Sequence, residues 1–146
     1  MPVREALLQV VDYTGAGYAP LIDYADWRVA VLRYIDDLLP QNLDAMQRHD
    51  ETDEVFVLLT GRCILFLGAG ADHVAEISAA DMEPLKLYNV KKGSWHTHTL
   101  SQDATVLIVE NRDTTVENSP QMPLDGGQRA HLIALTDLLW RRGPTV

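Results

Sequence analysis

The sequence predicts an all-β fold: an antiparallel barrel or jelly roll that is covered by one C-terminal helix. Along most of the chain, short apolar runs alternate with turn-forming residues, which is the pattern of many short strands. Near the C-terminus, the spacing of apolar residues changes from the strand period to the helix period. About eight short strands joined by tight turns are typical of closed antiparallel architectures, because closure removes the unpaired sheet edges.

Seven apolar runs are the candidate strands. In chain order they are residues 7–11, 27–34, 54–60, 62–67, 85–90, 96–100 and 105–110. Turns or loops separate them, at GAGYAP, LPQN, TG, GAGAD, KKG and SQD. The chain contains no internal repeat and no low-complexity linker. We therefore expect a single domain over residues 1–146, with the barrel core at about 27–111.

A C-terminal helix is predicted at about residues 127–142, after the turn-forming stretch PLDGG. Its apolar positions are Leu132, Leu135, Leu138 and Leu139. Arg141 and Arg142 in the last turn favour the negative end of the helix dipole, and Gly143-Pro144 would end the helix. We expect this helix to cover the barrel.

The composition argues against several classes of protein. The net charge of -9 argues against nucleic-acid binding, which depends on cationic contacts to phosphate. No apolar run approaches the roughly 20 residues of a transmembrane helix, and the N-terminal MPVREALLQVV lacks the apolar stretch of a signal peptide. The single cysteine, Cys63, lies in the apolar run CILFL, where a core position is expected. We expect a cytoplasmic protein with no nucleic-acid or membrane partner.

Two segments concentrate the residue types that bind metals, QRHDETDE at 47–54 and YNVKKGSWHTHTL at 88–100. Residues two apart on a strand point to the same side, so His96 and His98 share a face. Two imidazoles and one carboxylate that project into a partly apolar interior form a sensible site for a divalent metal. If Glu54 points inward, a cation or a proton must accompany it, because an unpaired buried carboxylate is costly. Each segment alone also fits a solvated acidic loop or a polar strand face.

Together the two segments resemble the two sequence motifs of the cupin superfamily, whose members are small jelly-roll barrels. The first motif is usually written His-x-His, three or four residues, Glu, six residues, Gly. The stretch QRHDETDEVFVLLTG matches it, except that Gln47 stands at the first histidine. The second motif resembles Pro-x-Gly, two residues, His, and KKGSWH matches it, except that Lys91 replaces the proline. The matching spacing covers roughly residues 46–111, and the resemblance implies a cupin-type barrel.

Carried over position by position, the resemblance implies that His49, Glu54 and His96 are metal ligands, with Gln47 at the remaining ligand position. The amide oxygen of glutamine is neutral and is a weaker donor than imidazole for borderline metals. The implied cofactor is one divalent ion, and zinc, manganese, iron and nickel all fit. His98 lies beside these residues on the face of His96. It could line the pocket, act as a general base or bind substrate, and we prefer these roles to that of a fourth ligand.

Two further expectations concern neighbouring side chains. The strand at 27–34 carries Arg28 on one face and Arg33 on the other, and an inward arginine would favour an anionic substrate such as a small carboxylic acid. Trp95 alternates with His96 and is therefore expected to pack outside the barrel.

Three functions remain open at this point. The first is a mononuclear metalloenzyme of cupin type, such as a lyase, an isomerase or a dioxygenase, that acts on a small carboxylate- or hydroxyl-rich molecule. The second is a non-catalytic cupin that binds a small ligand and has a weakened or lost metal site. The third is an activity like that of ureidoglycolate lyase, which is also a small cupin-like barrel.

We also expect a homodimer. It could pair through the N-terminal run at 7–11 or through the C-terminal helix. The strands VFVLL and CILFL are apolar on both faces, so they offer surface to a partner, although the protein's own helix could equally cover them.

Overall fold

The computed structural model of the protein describes residues 1–141. In these residues, ten strands form two antiparallel five-stranded sheets, and one α-helix follows them. The strands are β1 (Gly17–Tyr24), β2 (Trp27–Arg33), β3 (Ala45–Gln47), β4 (Glu54–Thr60), β5 (Cys63–Ala69), β6 (Ala75–Asp81), β7 (Leu87–Val90), β8 (Trp95–Leu100), β9 (Thr105–Asn111) and β10 (Gln121–Pro123), and the helix is α1 (Gly126–Arg141). The predicted all-β fold with one C-terminal helix is confirmed. No helix within residues 1–141 is both long and apolar enough to cross a membrane.

The first sheet has the strand order β1-β2-β9-β4-β7, and the second has the order β10-β3-β8-β5-β6. All the pairings in both sheets are antiparallel. Consecutive strands such as β4 and β5 lie in different sheets, so the chain crosses repeatedly from one sheet to the other. This crossing brings β3 beside β8, and with them the two segments that are rich in ligand-type residues.

Apolar side chains from both sheets meet in the interior. Because side chains alternate along a strand, Phe56 and Leu58 of β4 point inward on the same side as Glu54. Cys63 is fully buried in the same cluster, as predicted. The inward carboxylate of Glu54 therefore lies next to an apolar core, where water cannot easily compensate its charge.

The outer face of the second sheet is covered by α1. Ile64 and Phe66 of β5 point outward and form a second apolar cluster with Trp95 and Leu132. The CILFL strand therefore has one face in the interior and the other under the protein's own helix. Trp95 packs outside the barrel, as predicted.

The described part of α1 follows the predicted helix closely. Of its predicted apolar positions, Leu132 is fully buried, whereas Leu138 is 49% exposed. The predicted helix end at Arg142 and Gly143-Pro144 lies outside the described residues.

The predicted strand at 7–11 is wrong. These residues form no strand, and Leu7, Leu8 and Val10 are exposed. Apolar composition does not make a strand when no neighbouring strand supplies hydrogen-bond partners. The predicted loop GAGYAP is also wrong in part, because β1 begins at Gly17 and pairs along β2.

Three further strands escaped prediction. β3 and β10 are only three residues long and pair with each other, so tertiary contact rather than a hydrophobic pattern defines them. β6 has the sequence AEISAAD, which contains one β-branched residue and no clear alternation. Its pairing with the strongly apolar β5 makes it a strand.

Gly61 turns the chain between β4 and β5 with a backbone φ of 73°. A Cβ atom at this position would lie 2.5 Å from the Cα of Ala104. Gly61→Ala is expected to lower the free energy of unfolding by about 1–3 kcal/mol, because it combines an overpacked contact with a left-handed backbone. Urea unfolding followed by circular dichroism measures the loss. Gly126→Ala is the matched control, since a Cβ there meets nothing within 4 Å. Equal losses in the two variants would contradict the prediction.

Candidate functional site

A cavity of about 750 Å³ opens between the two sheets. Part of its wall is apolar and includes Leu32, Met46 and Ile108. The polar and charged residues on its wall include Tyr18, Arg28, Gln47, His49, Glu54, His96, His98 and Glu110. A cleft of several hundred Å³ with a few converging polar groups is typical of a small-molecule site.

Three buried residues converge on one part of the cavity wall: His49, Glu54 and His96. The Oε2 atom of Glu54 lies 3.1 Å from Nε2 of His49 and 2.8 Å from Nε2 of His96. The possible ligand atoms of the three residues lie within 4.8 Å of one another, so the group could hold one metal ion. Within residues 1–141, no other group of His, Cys, Asp or Glu side chains has this spacing.

Hydrogen bonds between the two ligand-rich segments hold these residues together. The carboxylate of Asp53 accepts from the backbone N–H of Lys92 at 2.9 Å and from the side-chain amide of Asn89 at 3.0 Å. The backbone N–H of Gly93 donates to the carbonyl of His49 at 2.7 Å. The loop before β8 is therefore fastened to the segment before β4, which places His96 beside His49.

The tautomer of each histidine is set by a partner outside the cavity. Nδ1 of His96 lies 3.0 Å from the carbonyl oxygen of Ser94, which can only accept, so Nδ1 carries the hydrogen. Nδ1 of His49 lies 2.6 Å from Oγ of Ser119, whose hydroxyl donates to Asn118 at 2.9 Å. The Ser119 oxygen therefore accepts from His49. In both neutral imidazoles, the lone pair of Nε2 faces Glu54.

This arrangement fits a metal ion. In the neutral form of both histidines, three acceptor atoms face one another with no hydrogen between them, which is unfavourable without a cation. A metal-binding histidine usually donates a hydrogen bond from one ring nitrogen and binds the metal with the other, and both histidines here can do so, with Nδ1 donating and Nε2 free. The sequence offered no signal for Ser119 or Asn118, because they lie far along the chain and in no motif.

Without a metal, protons take the role of the cation. Burial alone would favour the neutral acid at Glu54, but hydrogen bonds with His49 and His96 hold its pKa well below the usual value. Burial disfavours charge on His49, but Glu54 and then Glu110 outweigh it and raise the pKa of His49. Glu54 therefore keeps its negative charge, and His49 binds a proton more readily than an ordinary histidine.

Glu110 brings a second carboxylate to the site, which the sequence analysis missed. It is the Cα partner of Glu54 across β9 and β4 and accepts a hydrogen bond of 2.7 Å from the hydroxyl of Tyr18. Burial first, and then the charge of Glu54, raise the pKa of Glu110 to about 7. A signal was available, because Glu110 lies two residues after Ile108 and four after Val106 on β9, so it shares their inward-facing side.

His98 lines the cavity on the same side of β8 as His96. Its ring lies 5.8 Å from the ring of Phe56, and its buried Nδ1 has no hydrogen-bond partner among the described residues. Burial lowers the pKa of His98 to about 4, so the ring is neutral at pH 7. Gln47 lines the same cavity, and its backbone faces that of His96 across β3 and β8.

Solved structures of similar architecture identify the fold. No protein-family model matches the sequence, and no curated protein matches it. Pac13 from Streptomyces, solved with uridine, is 10% identical over 82% of this chain and 87% of its own, with a TM-score of 0.53. The 3,4-ketoisomerase QdtA from Thermoanaerobacterium thermosaccharolyticum, in complex with TDP-4-keto-6-deoxyglucose, is 12% identical over 63% of each chain, with a TM-score of 0.51. A cupin-2 domain containing protein from Shewanella frigidimarina is 17% identical over 68% of this chain and 85% of its own, with a TM-score of 0.47.

The chain has the cupin fold that it shares with Pac13 and QdtA. The position of the two motif segments agrees with this, since β3 and the start of β4 carry the first and the start of β8 carries the second. At these identities, the similarity concerns the fold and not the activity. Two residues of this chain depart from the cupin motifs. Gln47 lies on the cavity wall, and Lys91 lies in the loop whose residues hydrogen-bond to Asp53.

Proposed function

We propose that this chain is a metal-dependent enzyme of cupin fold that acts on a small molecule rich in carboxylate or hydroxyl groups. The observation that carries the proposal is the convergence of two Nε2 lone pairs and a carboxylate oxygen on one buried point of the cavity wall. His49, Glu54 and His96 would hold one divalent ion. Gln47 is a further candidate ligand, because its backbone pairs with that of His96 across β3 and β8. Zinc, manganese, iron and nickel all suit two imidazoles and a carboxylate.

The bound ion would supply Lewis acidity, by polarising a substrate carbonyl or carboxylate or by lowering the pKa of a bound water. The chain's own side chains would position the substrate. Arg28 lines the cavity, with its guanidinium held in place by an ion pair to Asp23 (Nε to Oδ1, 2.8 Å), and its guanidinium N–H groups that Asp23 does not engage can donate to an anionic group. The neutral ring of His98 can accept a hydrogen bond or a proton from the substrate.

The size and chemistry of the cavity support a small-molecule substrate. Its volume of about 750 Å³ is suited to a ligand of nucleoside or sugar size. Two proteins of similar fold were solved with uridine and with TDP-4-keto-6-deoxyglucose, and Pac13 is described as a nucleoside dehydratase. A non-catalytic cupin that binds such a ligand is the second candidate, and Gln47 favours it, because the first motif lacks an imidazole there.

Metal content and turnover together test the proposal. We expect protein purified without added metal to carry close to one divalent ion per chain, measured by plasma mass spectrometry. With that ion, it should turn over at least one member of a panel of small hydroxy acids, ureidoglycolate, nucleosides and nucleotide sugars, and a chelator should stop the turnover. Metal without turnover, but with ligand binding, would favour the non-catalytic alternative. Protein that binds no added metal would refute the metal site.

Ser119 gives a sharper test of the way the site is held. Ser119→Ala is expected to weaken metal binding by about 10- to 100-fold, because the hydroxyl accepts the Nδ1 hydrogen of His49 and so directs Nε2 into the cavity. Ser94→Ala is the matched control, since His96 contacts the backbone carbonyl of Ser94 and not its side chain. Isothermal titration with one metal measures all three affinities. Equal affinity in wild type and Ser119→Ala would contradict the prediction.

We also propose that the protein forms a homodimer through the outer face of the first sheet. Val55 and Val57 point to this face and are only half-buried, while Trp27 and Leu87 are 44% and 75% exposed. Because α1 covers the second sheet instead, a second copy is the partner that would remove these side chains from water. Light scattering after size-exclusion chromatography is expected to give twice the mass of the chain. A single chain mass at high micromolar concentration would refute the dimer.

A further inference from the structure

Glu110 faces Glu54 inside the barrel. The two residues are Cα partners in the antiparallel pairing of β9 with β4, so their side chains point to the same side of the first sheet. The side chains of Glu110 and Glu54 are only 4% and 8% exposed. Like charges directly opposite each other destabilise a sheet, and burial increases the cost. A cation beside both carboxylates would remove this cost.

The two oxygens of Glu110 have different surroundings. Oε1 accepts the hydrogen bond of 2.7 Å from Tyr18, which anchors the carboxylate to β1. Oε2 lies 3.6 Å from Nε2 of His49, the atom that faces the candidate metal position. Two ligand atoms that each lie about 2.1 Å from one ion are roughly 3.0–3.4 Å apart. The distance from Oε2 of Glu110 to Nε2 of His49 is therefore only a few tenths of an ångström longer than the distance between two ligands of one ion.

We propose that Glu110 is a fourth protein ligand of the metal ion, in place of the imidazole that the first motif lacks at Gln47. This inference rests on the proposed function, because it requires an ion at His49, Glu54 and His96. The complete set would then be two imidazole nitrogens and two carboxylate oxygens. Gln47 would not need to bind, and its neutral amide is in any case the weaker donor.

This ligand set has two consequences for the metal. Two carboxylates balance the charge of one divalent ion, so the buried site is neutral when it is filled. Exchange of an imidazole for a carboxylate also shifts the preference toward Mn²⁺ relative to Zn²⁺, since carboxylate oxygen suits Mn²⁺ and imidazole nitrogen suits Zn²⁺. Glu110 would thus contribute more to Mn²⁺ binding than to Zn²⁺ binding.

The experiment compares Mn²⁺ and Zn²⁺ affinities of wild type, Glu110→Gln and Asp44→Asn by titration calorimetry at one pH. Asp44 is exposed on the wall of the same cavity, so Asp44→Asn removes an equal charge there and serves as the matched control. We expect Glu110→Gln to weaken Mn²⁺ binding by more than about tenfold and Zn²⁺ binding by less. Asp44→Asn should change either affinity by less than about fivefold, because the charge of an exposed side chain is strongly screened.

Thermal unfolding separates a ligand from a residue that only supports the fold. Without metal, Glu110→Gln is expected to unfold at the same or a higher temperature than wild type, because one of two facing carboxylates is gone. With saturating Mn²⁺, it is expected to unfold at a lower temperature than wild type. A purely structural role, through the hydrogen bond with Tyr18, would lower Tm in both conditions and overturn the proposal.

The remaining outcomes are equally decisive. If Glu110→Gln fails to fold, Glu110→Asp keeps the charge but shortens the side chain, and it should also weaken Mn²⁺ more than Zn²⁺. Wild-type affinity for Mn²⁺ in either variant, or equal weakening for both ions, would overturn the proposal and leave the proposed function standing. If wild type binds neither ion, the proposed function fails, and the role of Glu110 fails with it.

Discussion

Adding Mn²⁺ or Zn²⁺ to the metal-free protein is expected to raise its Tm, and His96→Ala is expected to abolish the rise. A ligand that binds only the folded state stabilises it by about 2.7 kcal/mol when the free ligand is at one hundred times its Kd. For a chain of this size, each kcal/mol raises Tm by roughly 2–4 °C. His96 supplies one of the two Nε2 lone pairs that face Glu54, so its removal leaves His49 as the only imidazole beside the carboxylates and weakens binding of either ion.

His131→Ala is the control for this experiment. His131 is an exposed histidine of α1, and its only described polar contact is a long one, 3.4 Å from Nε2 to the carbonyl of Ile77. We expect this variant to keep the full rise of Tm with metal. Differential scanning fluorimetry, with and without a chelator, provides the measurement. A rise of wild-type size in His96→Ala would show that the metal binds elsewhere and would remove the basis of the proposed function.

His98→Leu is expected to remove part of the loss of stability that the metal-free protein shows in acid. Burial lowers the pKa of His98 to about 4 in the folded state, whereas the usual value is 6.5. Between these pH values, the unfolded chain binds a proton that the folded chain does not, so the free energy of unfolding falls as the pH falls. Above pH 6.5 both states are neutral, and His98 has no effect on the pH dependence. The full contribution is on the order of 3 kcal/mol.

The measurable quantity is the difference in unfolding free energy between wild type and His98→Leu. It should be constant above pH 7. As the pH falls toward 4, the stability of wild type should fall relative to that of His98→Leu. Glu110 acts in the opposite sense, because its raised pKa stabilises the folded state at low pH and this contribution is lost as the pH rises through about 7. Glu110 is present in both proteins, so to first order its contribution cancels in the difference.

Urea unfolding at several pH values, in the presence of a chelator, gives this difference. His131→Leu is the matched control, since it makes the same substitution at a histidine that is exposed on α1 in the folded state. If the difference for His98→Leu does not change between pH 7 and pH 4, His98 is not held neutral by burial. It would then be unsuited to the role of a neutral acceptor in the cavity.

Much of the site follows from short-range patterns in the sequence. The alternation of side chains along β4 places Glu54 on the same side as the core residue Phe56, and the same period places His96 and His98 together. The motif spacing singles out His49 among the acidic residues around it. These features are readable because each depends only on neighbouring residues and on the two-residue period of a strand.

Other parts of the site depend on contacts between distant segments. Ser119 contacts His49 from 70 positions away, and Tyr18 contacts Glu110 from 92 positions away. No periodicity links such pairs, so their partnership depends on which strands become neighbours. The error at residues 7–11 has the same origin, because an apolar run becomes a strand only if another strand pairs with it.

Local periodicity in the sequence is sufficient to predict the all-β class, the C-terminal helix and the inward direction of Glu54 and His96. The pairing of β9 with β4, which makes Glu110 face Glu54, follows only from how distant strands pack together. The tertiary structure also decided the orientation of His49, whose Nδ1 bond to Ser119 turns Nε2 toward the cavity. The physical reason is that strand pairing and buried hydrogen bonds are satisfied between segments that the order of residues keeps far apart.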